Sequence, residues 1–283
     1  MNKLISAAID EDIPWGDVTS DNLINPYSER ELIFTIKDDG VIAGLPVVRK
    51  TFKMLDDEII WTGLVQDGDI VRKNDIIAKV AGRARVLLKA ERVALNFLQR
   101  LSGIASLTRQ FVELARTKSE TVRIVDTRKT TPGLRYLEKY AVRMGGGFNH
   151  RYCLSDAILI KDNHLAMLYE EGRSIKKAVA DIKKLVSHTV VVEVEINSQD
   201  QLEDALHSEA DILLLDNMNA EELKRIVKRV NGQKKLEALG DVSLDNVAEI
   251  AETGVDYISV GSLTHSAQAL DISFDFLPIY EEA

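Results

Sequence analysis

The chain has 283 residues and a formal charge of −9, with 36 Lys and Arg against 45 Asp and Glu. Hydrophobic residues make up 45% and charged residues 29%, the balance of a soluble globular protein that buries a core without staples. The acidic balance argues against a nucleic-acid partner, the single cysteine rules out an internal disulfide, and no apolar run approaches the ~20 residues of a membrane span.

The opening MNKLISAAIDEDIPWGD interrupts a short apolar stretch with acids, so it reads as a helix over Leu4–Ile9 and not as a signal sequence. A cytoplasmic protein is the expectation. Asp17-Val18-Thr19-Ser20 supplies turn and cap chemistry. Leu32, Phe34 and Ile36 recur at every second position, the period of a strand with one buried face. Further short strands are predicted around Ile59–Trp61, Ile76–Val80 and Arg85–Leu88, divided by turns such as Asp67-Gly68-Asp69. A long helix is predicted from near Lys89, since Ala94, Phe97, Leu98, Leu101, Ile104 and Ala105 follow the helical period. Arg92, Asn96 and Arg100 share one face of it, and spacing alone favours a solvated face.

From residue 121 the pattern becomes regular. Apolar runs at Val122–Val125, Ala157–Ile160, Val190–Val194, Ile212–Leu215, Lys235–Ala238 and Tyr257–Val260 read as strands. Helical segments separate them at Gly133–Met144, Ser174–Val186, Ser198–Glu209, Ala220–Val230 and Leu244–Thr253. Such alternation predicts a parallel sheet with helical crossovers, closed or nearly closed into an α/β barrel. Polar groups follow the strands: Asp126–Lys129, Lys161–His164, Glu195, Asp216-Asn217, Leu239-Gly240-Asp241 and Gly261-Ser262. In a barrel these strand ends converge on one mouth, where sites form.

The cations concentrate between Asp126 and His164, where seven Lys and Arg stand against four carboxylates. A basic cluster in an acidic chain points to a small, highly anionic ligand. Arg128 offers a planar fork for carboxylate or phosphate and Lys129 a mobile point charge. Gly145-Gly146-Gly147 ahead of His150-Arg151 reads better as an anion cradle than as a flexible loop, given the strand ending in Lys161. Glu195 and Asp216 suit a divalent cation or ribose hydroxyls, and spacing cannot choose between Glu193 and Glu195 because both fall on one strand face. Gly240 and Val260-Gly261-Ser262 resemble small-residue turns that offer N–H groups to phosphate. Cys153 reads as a buried small hydrophobe, and His188 and His207 as surface residues.

The runs Glu91–Asn96, Asp126–Gly133, Gly145–Arg151, Leu159–His164, Val192–Glu195, Leu214–Met218 and Ser259–Ala267, with Gly16–Thr19 near the start, together resemble the quinolinate phosphoribosyltransferase family. The resemblance spans nearly the whole chain. It implies an N-terminal open-faced α/β sandwich over residues 1–105 and 268–283, and an incomplete α/β barrel over 106–267. It also implies a homodimer or higher homo-oligomer. The reaction it implies is a Mg²⁺-dependent pentosyl transfer of NAD biosynthesis. That transfer joins quinolinate to phosphoribosyl pyrophosphate and yields nicotinate mononucleotide, pyrophosphate and CO₂.

Carried onto matching positions, the resemblance gives Arg92 (reaching the partner's site), Arg128, His150, Arg151 and Lys161 to the quinolinate carboxylates. Lys129 falls near the leaving pyrophosphate. Glu195, preferred over Glu193 by motif position, and Asp216 face ribose and metal; Gly240, Gly261, Ser262 and His265 bind phosphate. Leu239 and Asp241 depart from the family's Ser-Gly-Gly phosphate loop. A carboxylate ~4 Å from a phosphate charge costs about 4 kcal/mol at an effective dielectric near 20, so Asp241 must point away or be paired. Three alternatives remain beside this reading. One is a paralogue with another acid substrate or weakened activity, the second a binding protein without turnover, and the third a lyase using Lys129 or Lys161 as a Schiff base.

Overall fold

In the computed structural model, which describes residues 1–276, the chain divides into two units. The first holds Met1–Arg109, Thr131–Gly146 and the described residues from Ser266 onward. The second holds Gln110–Thr130 and Gly147–His265. Residues 277–283, which the sequence reading assigns to the N-terminal sandwich, lie outside the described residues.

The first unit opens with α1 (Asn2–Asp12) and α2 (Ser20–Leu23), where Asp17 Oδ1 accepts from the N–H groups of Thr19 and Ser20. Then come β1 (Glu29–Ile36), β2 (Gly40–Val41), α3 (Leu45–Leu55), β3 (Ile60–Gly63), β4 (Ile70–Val71), β5 (Ile76–Arg83) and the long α4 (Ala84–Arg116). The alternation in β1 holds: Leu32, Phe34 and Ile36 are at most 1% exposed. Their face packs on α3 and α4 through Phe52, Leu87, Ala94 and Leu98. Phe34 sits among three other rings, with its centroid 4.5 Å from Phe274, 5.9 Å from Trp61 and 6.2 Å from Phe52. Truncating such a side chain to Ala costs about 3–5 kcal/mol. The sheet order β12-β1-β5-β3 is antiparallel, and β12 (Ile272–Phe276) pairs Leu32 with Phe276, one face of the sheet being covered by helices.

Three sequence expectations change here. Arg85–Leu88 is no strand but the first turn of α4, because Leu87 belongs to the buried stripe that Ala90, Ala94 and Leu98 continue at helical spacing. The face carrying Arg92, Asn96 and Arg100 is not uniformly solvated. Arg92 is exposed, whereas Arg100 pairs with the wholly buried Glu138 of α5 (Arg135–Met144). The glycine run also serves packing before anything else. A Cβ on Gly145 would lie 2.3 Å from the carbonyl oxygen of Ala105 on α4, and Gly146 takes a left-handed φ of 88°.

The second unit is a parallel sheet with helical crossovers. Its strands are β6 (Arg123–Val125), β7 (Ile158–Ile160), β8 (Val192–Ile196), β9 (Ile212–Asp216), β10 (Lys235–Leu239) and β11 (Tyr257–Ser259). The helices are α6 (Asp162–Glu170), α7 (Ile175–Lys183), α8 (Gln199–Leu206), α9 (Ala220–Val230), α10 (Val247–Glu252) and the short α11 (Ser262–His265). The order β6-β11-β10-β9-β8-β7 leaves β6 and β7 unpaired with each other, so the barrel is incomplete. At that opening Phe148 makes one parallel bridge to Val125, and Arg123 lies 4.8 Å over the Phe148 ring. In β8, Val192, Val194 and Ile196 are wholly buried on one face, while Glu193 and Glu195 share the other. Among the described residues no helix is long and apolar enough to cross a membrane.

Candidate active site

Polar residues after β6 and β7 meet in one cavity, whereas Glu195, Asp216, Gly240, Gly261, Ser262 and His265 are absent from its lining. A cavity of about 290 Å³ in the second unit is lined by Thr127, Arg128, Lys129, His150, Arg151, Leu159, Lys161, Leu214, Glu237, Leu239 and Ser259. Four of the seven cations of the basic segment line it: Arg128, Lys129, Arg151 and Lys161. The other three, Arg135, Lys139 and Arg143, ride on α5 in the first unit. Arg92 also belongs to the first unit, on α4, with its side chain 60% exposed.

Asp126, fully buried at the end of β6, organises the approach of His150. Its Oδ1 accepts from the His150 N–H at 2.9 Å and its Oδ2 from Asn149 Nδ2 at 2.7 Å. The imidazole is held at both nitrogens. Nδ1 accepts the Arg151 N–H at 2.7 Å, which leaves the ring proton on Nε2, 2.9 Å from Glu193 Oε2 and 3.5 Å from Glu237 Oε1. His150 therefore lines the cavity with both ring nitrogens already engaged. Arg151 donates from Nη1 to the Ala157 carbonyl at 3.2 Å. Burial, and then the neighbouring Arg128, push its pKa down, while Glu193 opposes them; two guanidiniums lining one cavity suit an anion.

Lys161 ends β7 and caps α6, its N–H donating to His164 Nδ1 at 2.9 Å. Its Nζ lies 3.5 Å from Glu195 Oε2. Burial raises the Glu195 pKa, Lys161 opposes that, and Asp216 on the next strand adds to it. Asp216 is half-buried and accepts from Asn217 Nδ2 at 3.0 Å. Glu195 and Asp216 offer carboxylate oxygens from adjacent strand ends, the hard ligand type that a Mg²⁺ ion takes.

The third group of residues approaches closely around Gly261. A Cβ there would lie 3.0 Å from Lys129 Cδ and 3.3 Å from His265 Nε2, and Thr264 Oγ1 donates to the Lys129 carbonyl at 2.7 Å. The turn after β9 and β10 is equally tight: Gly240 has φ of 139°, and a Cβ on it would meet Asn217 Oδ1 at 2.7 Å. Leu239 lines the cavity, whereas Asp241 is exposed and absent from the lining. Cys153 is exposed as well, on the bend before β7, and not buried as its residue type suggests.

The sequence reading passed over Glu237 and Ser259. Both are buried, and the Ser259 hydroxyl donates to Glu237 Oε1. The signal was present: a glutamate in mid-strand, between Leu236 and Ala238, must face the barrel interior.

The family model for the quinolinate phosphoribosyl transferase N-terminal domain matches residues 17–102, and that for the C-terminal domain matches residues 104–275. A Bacillus subtilis (strain 168) protein named probable nicotinate-nucleotide pyrophosphorylase (carboxylating) is 42% identical over 97% of this chain and 93% of its own. A Nicotiana tabacum protein named quinolinate phosphoribosyltransferase (decarboxylating) 2b, mitochondrial, is 38% identical over 96% and 81%. The solved structure of NadC from Streptococcus pyogenes superimposes with a TM-score of 0.91 at 38% identity, covering 98% of this chain and 96% of that one. With both family domains matched along its length and the strand ends arranged as described, the chain belongs to the quinolinate phosphoribosyltransferase family.

Proposed function

We propose that this chain transfers the phosphoribosyl group of phosphoribosyl pyrophosphate to quinolinate, with loss of CO₂, to give nicotinate mononucleotide and pyrophosphate. The observation that carries the reading is the cavity in which Arg128, Arg151 and Lys161 stand within reach of one small dianion. Charge-assisted contacts from guanidinium and ammonium groups hold the two pyridine carboxylates and fix the ring nitrogen toward the sugar. His150 bounds the ring by its edge. Lys129, packed against Gly261, meets the leaving pyrophosphate, while Gly240, Gly261, Ser262 and His265 receive phosphate.

As the anomeric C–O bond breaks and the C–N bond forms, positive charge develops on the ribose. Glu195 and Asp216 stabilise it from the ends of β8 and β9. The same pair would hold Mg²⁺, which when bound neutralises the pyrophosphate oxygens. Breaking the bond to the lost carboxylate leaves its electron pair on the ring carbon. The adjacent cations stabilise that pair until a proton replaces the CO₂.

The proposal includes a homodimer in which Arg92 serves the partner's cavity. An exposed, charged Arg92 supports it, as do the exposed side chains of Trp15, Val18, Leu23 and Tyr27. A cytoplasmic setting completes it, in keeping with one exposed thiol. Calorimetric titration with quinolinate tests the pocket: Arg128→Ala should weaken binding about tenfold or more. Unchanged affinity removes the assignment.

A further inference from the structure

We propose that Glu237 is a substrate-binding residue that works as a neutral acid: its proton keeps the cavity floor compatible with a dianion, and loss of that proton weakens capture of the substrate. The inference rests on the quinolinate reading for its substrate, and on geometry for its residue.

A second cavity of about 450 Å³ lies toward the N-terminal ends of the strands, lined by Arg123, Ile212 and Tyr257 among others. His150, Arg151 and Glu237 line both cavities, so they form the partition between them. Within that partition Glu193 and Glu237 are 3% and 2% exposed, and each faces the same imidazole nitrogen. The ring has Nδ1 occupied by the Arg151 N–H, so Nε2 carries a proton and points it at the two carboxylates.

Two ionised carboxylates around one imidazole N–H in a dry site repel each other, and one proton between them removes the conflict. Glu193 takes the shorter bond from Nε2, 2.9 Å against 3.5 Å, which leaves the proton on Glu237. The groups that interact with Glu237 are Glu193 from β8, Ser259 from β11 and His150 from the segment after Phe148, while Arg123, Arg151 and Tyr257 share the lining of the second cavity with it. Burial first, and Glu193 second, push the Glu237 pKa up to about 8.

The function of this proton is electrostatic. Glu237 lines the cavity that takes quinolinate, so its ionised form places an anion beneath a dianion. Near neutral pH the carboxyl is uncharged and the substrate meets only the cations above it.

The test is the pH dependence of quinolinate affinity, measured by calorimetry in the full-length protein and in Glu237→Gln. The amide imitates the neutral acid at every pH. The native protein should lose about tenfold in affinity between about pH 7 and about pH 9, and Glu237→Gln should keep its neutral-pH affinity across that range. Ser259→Ala supplies a second arm that does not depend on the first variant folding. It removes a hydroxyl that favours the ionised form, so the alkaline loss should move to higher pH. Identical alkaline losses in the native protein and in Glu237→Gln overturn the proposal, as does an unmoved limb in Ser259→Ala. An infrared difference spectrum separates the two readings. The carbonyl stretch of a protonated carboxyl should be present at neutral pH, absent in Glu237→Gln and lost on raising the pH. Absence of that band refutes the neutral acid even where quinolinate binds, and failure of quinolinate to bind refutes the substrate while the band still decides for Glu237.

Discussion

Lys161 Nζ lies 3.5 Å from Glu195 Oε2, and this pair joins the cationic end of β7 to the anionic end of β8. Each partner sets the other's chemistry. The ammonium opposes the rise that burial imposes on the Glu195 pKa, and the carboxylate holds the ammonium toward the cavity.

Lys161→Ala should therefore harm both substrates. Loss of one charge-assisted contact, about 1.5–3 kcal/mol, raises the quinolinate KM about tenfold or more. Glu195 loses its counter-charge at the same time, so its pKa rises further and the acid limb of the phosphoribosyl pyrophosphate KM moves to higher pH. Steady-state kinetics across the acid range checks both, and an unmoved acid limb contradicts the coupling.

Gly240 and Asp241 are neighbours with opposite expectations. Gly240→Ala introduces a Cβ 2.7 Å from Asn217 Oδ1 at a φ that L-residues avoid. It should cost about 1–3 kcal/mol in urea unfolding and raise the phosphoribosyl pyrophosphate KM. Asp241→Gly, by contrast, alters an exposed side chain outside the cavity lining. Its KM should stay within about twofold at moderate salt, where exposed charges are screened. A large gain in that variant would show that the carboxylate does reach the phosphate.

Arg100 tests the first unit. It donates through Nη2 at 2.9 Å and Nε at 3.3 Å to Oε1 of Glu138, a side chain with no exposure. Removing the guanidinium strands a buried charge, so Arg100→Ala should lose about 3 kcal/mol of unfolding free energy. The N–H and hydroxyl of Thr131 still donate to Glu138 and keep the loss from running higher. Double substitution to Arg100→Met and Glu138→Gln should recover most of it.

Glu237 makes a prediction for stability that is separate from binding. Its pKa is raised from 4.5 to about 8 by burial and by Glu193. A raised carboxyl pKa means the folded state binds the proton more tightly. That contribution is complete below pH 4.5 and is lost as pH climbs through about 8. Across this window the native protein should lose stability relative to Glu237→Gln, as read by chemical unfolding at several pH values. Parallel curves would contradict the assignment.

Much of the second unit was legible because a parallel strand buried on both faces announces itself as an apolar run, and polar residues at its end then stand out. Arg128, Lys161, Glu195 and Asp216 stand out in that way, and of these Arg128 and Lys161 line the cavity. Glu237 escaped because attention to strand ends overlooks an ionisable residue in mid-strand. The first unit was harder to read. Arg85–Leu88 ends in three consecutive apolar residues without period, so it fits strand and helix equally, and only the stripe continuing to Leu98 decides. Two helices gave little local signal. α3 begins after Gly44 in a left-handed conformation with no side-chain cap. α6 is capped by the backbone of Lys161 and the ring of His164 and not by a Ser, Thr, Asn or Asp side chain.

The central claim is that the cations at the strand ends serve a phosphoribosyl transfer to a pyridine dicarboxylate. The most direct measurement incubates the protein with quinolinate, phosphoribosyl pyrophosphate and Mg²⁺ and follows products by chromatography. The account predicts nicotinate mononucleotide and CO₂ in equal amounts, with formation strongly reduced in Arg128→Ala. Quinolinate bound and left unconverted, or product formed equally well by Arg128→Ala, would contradict it.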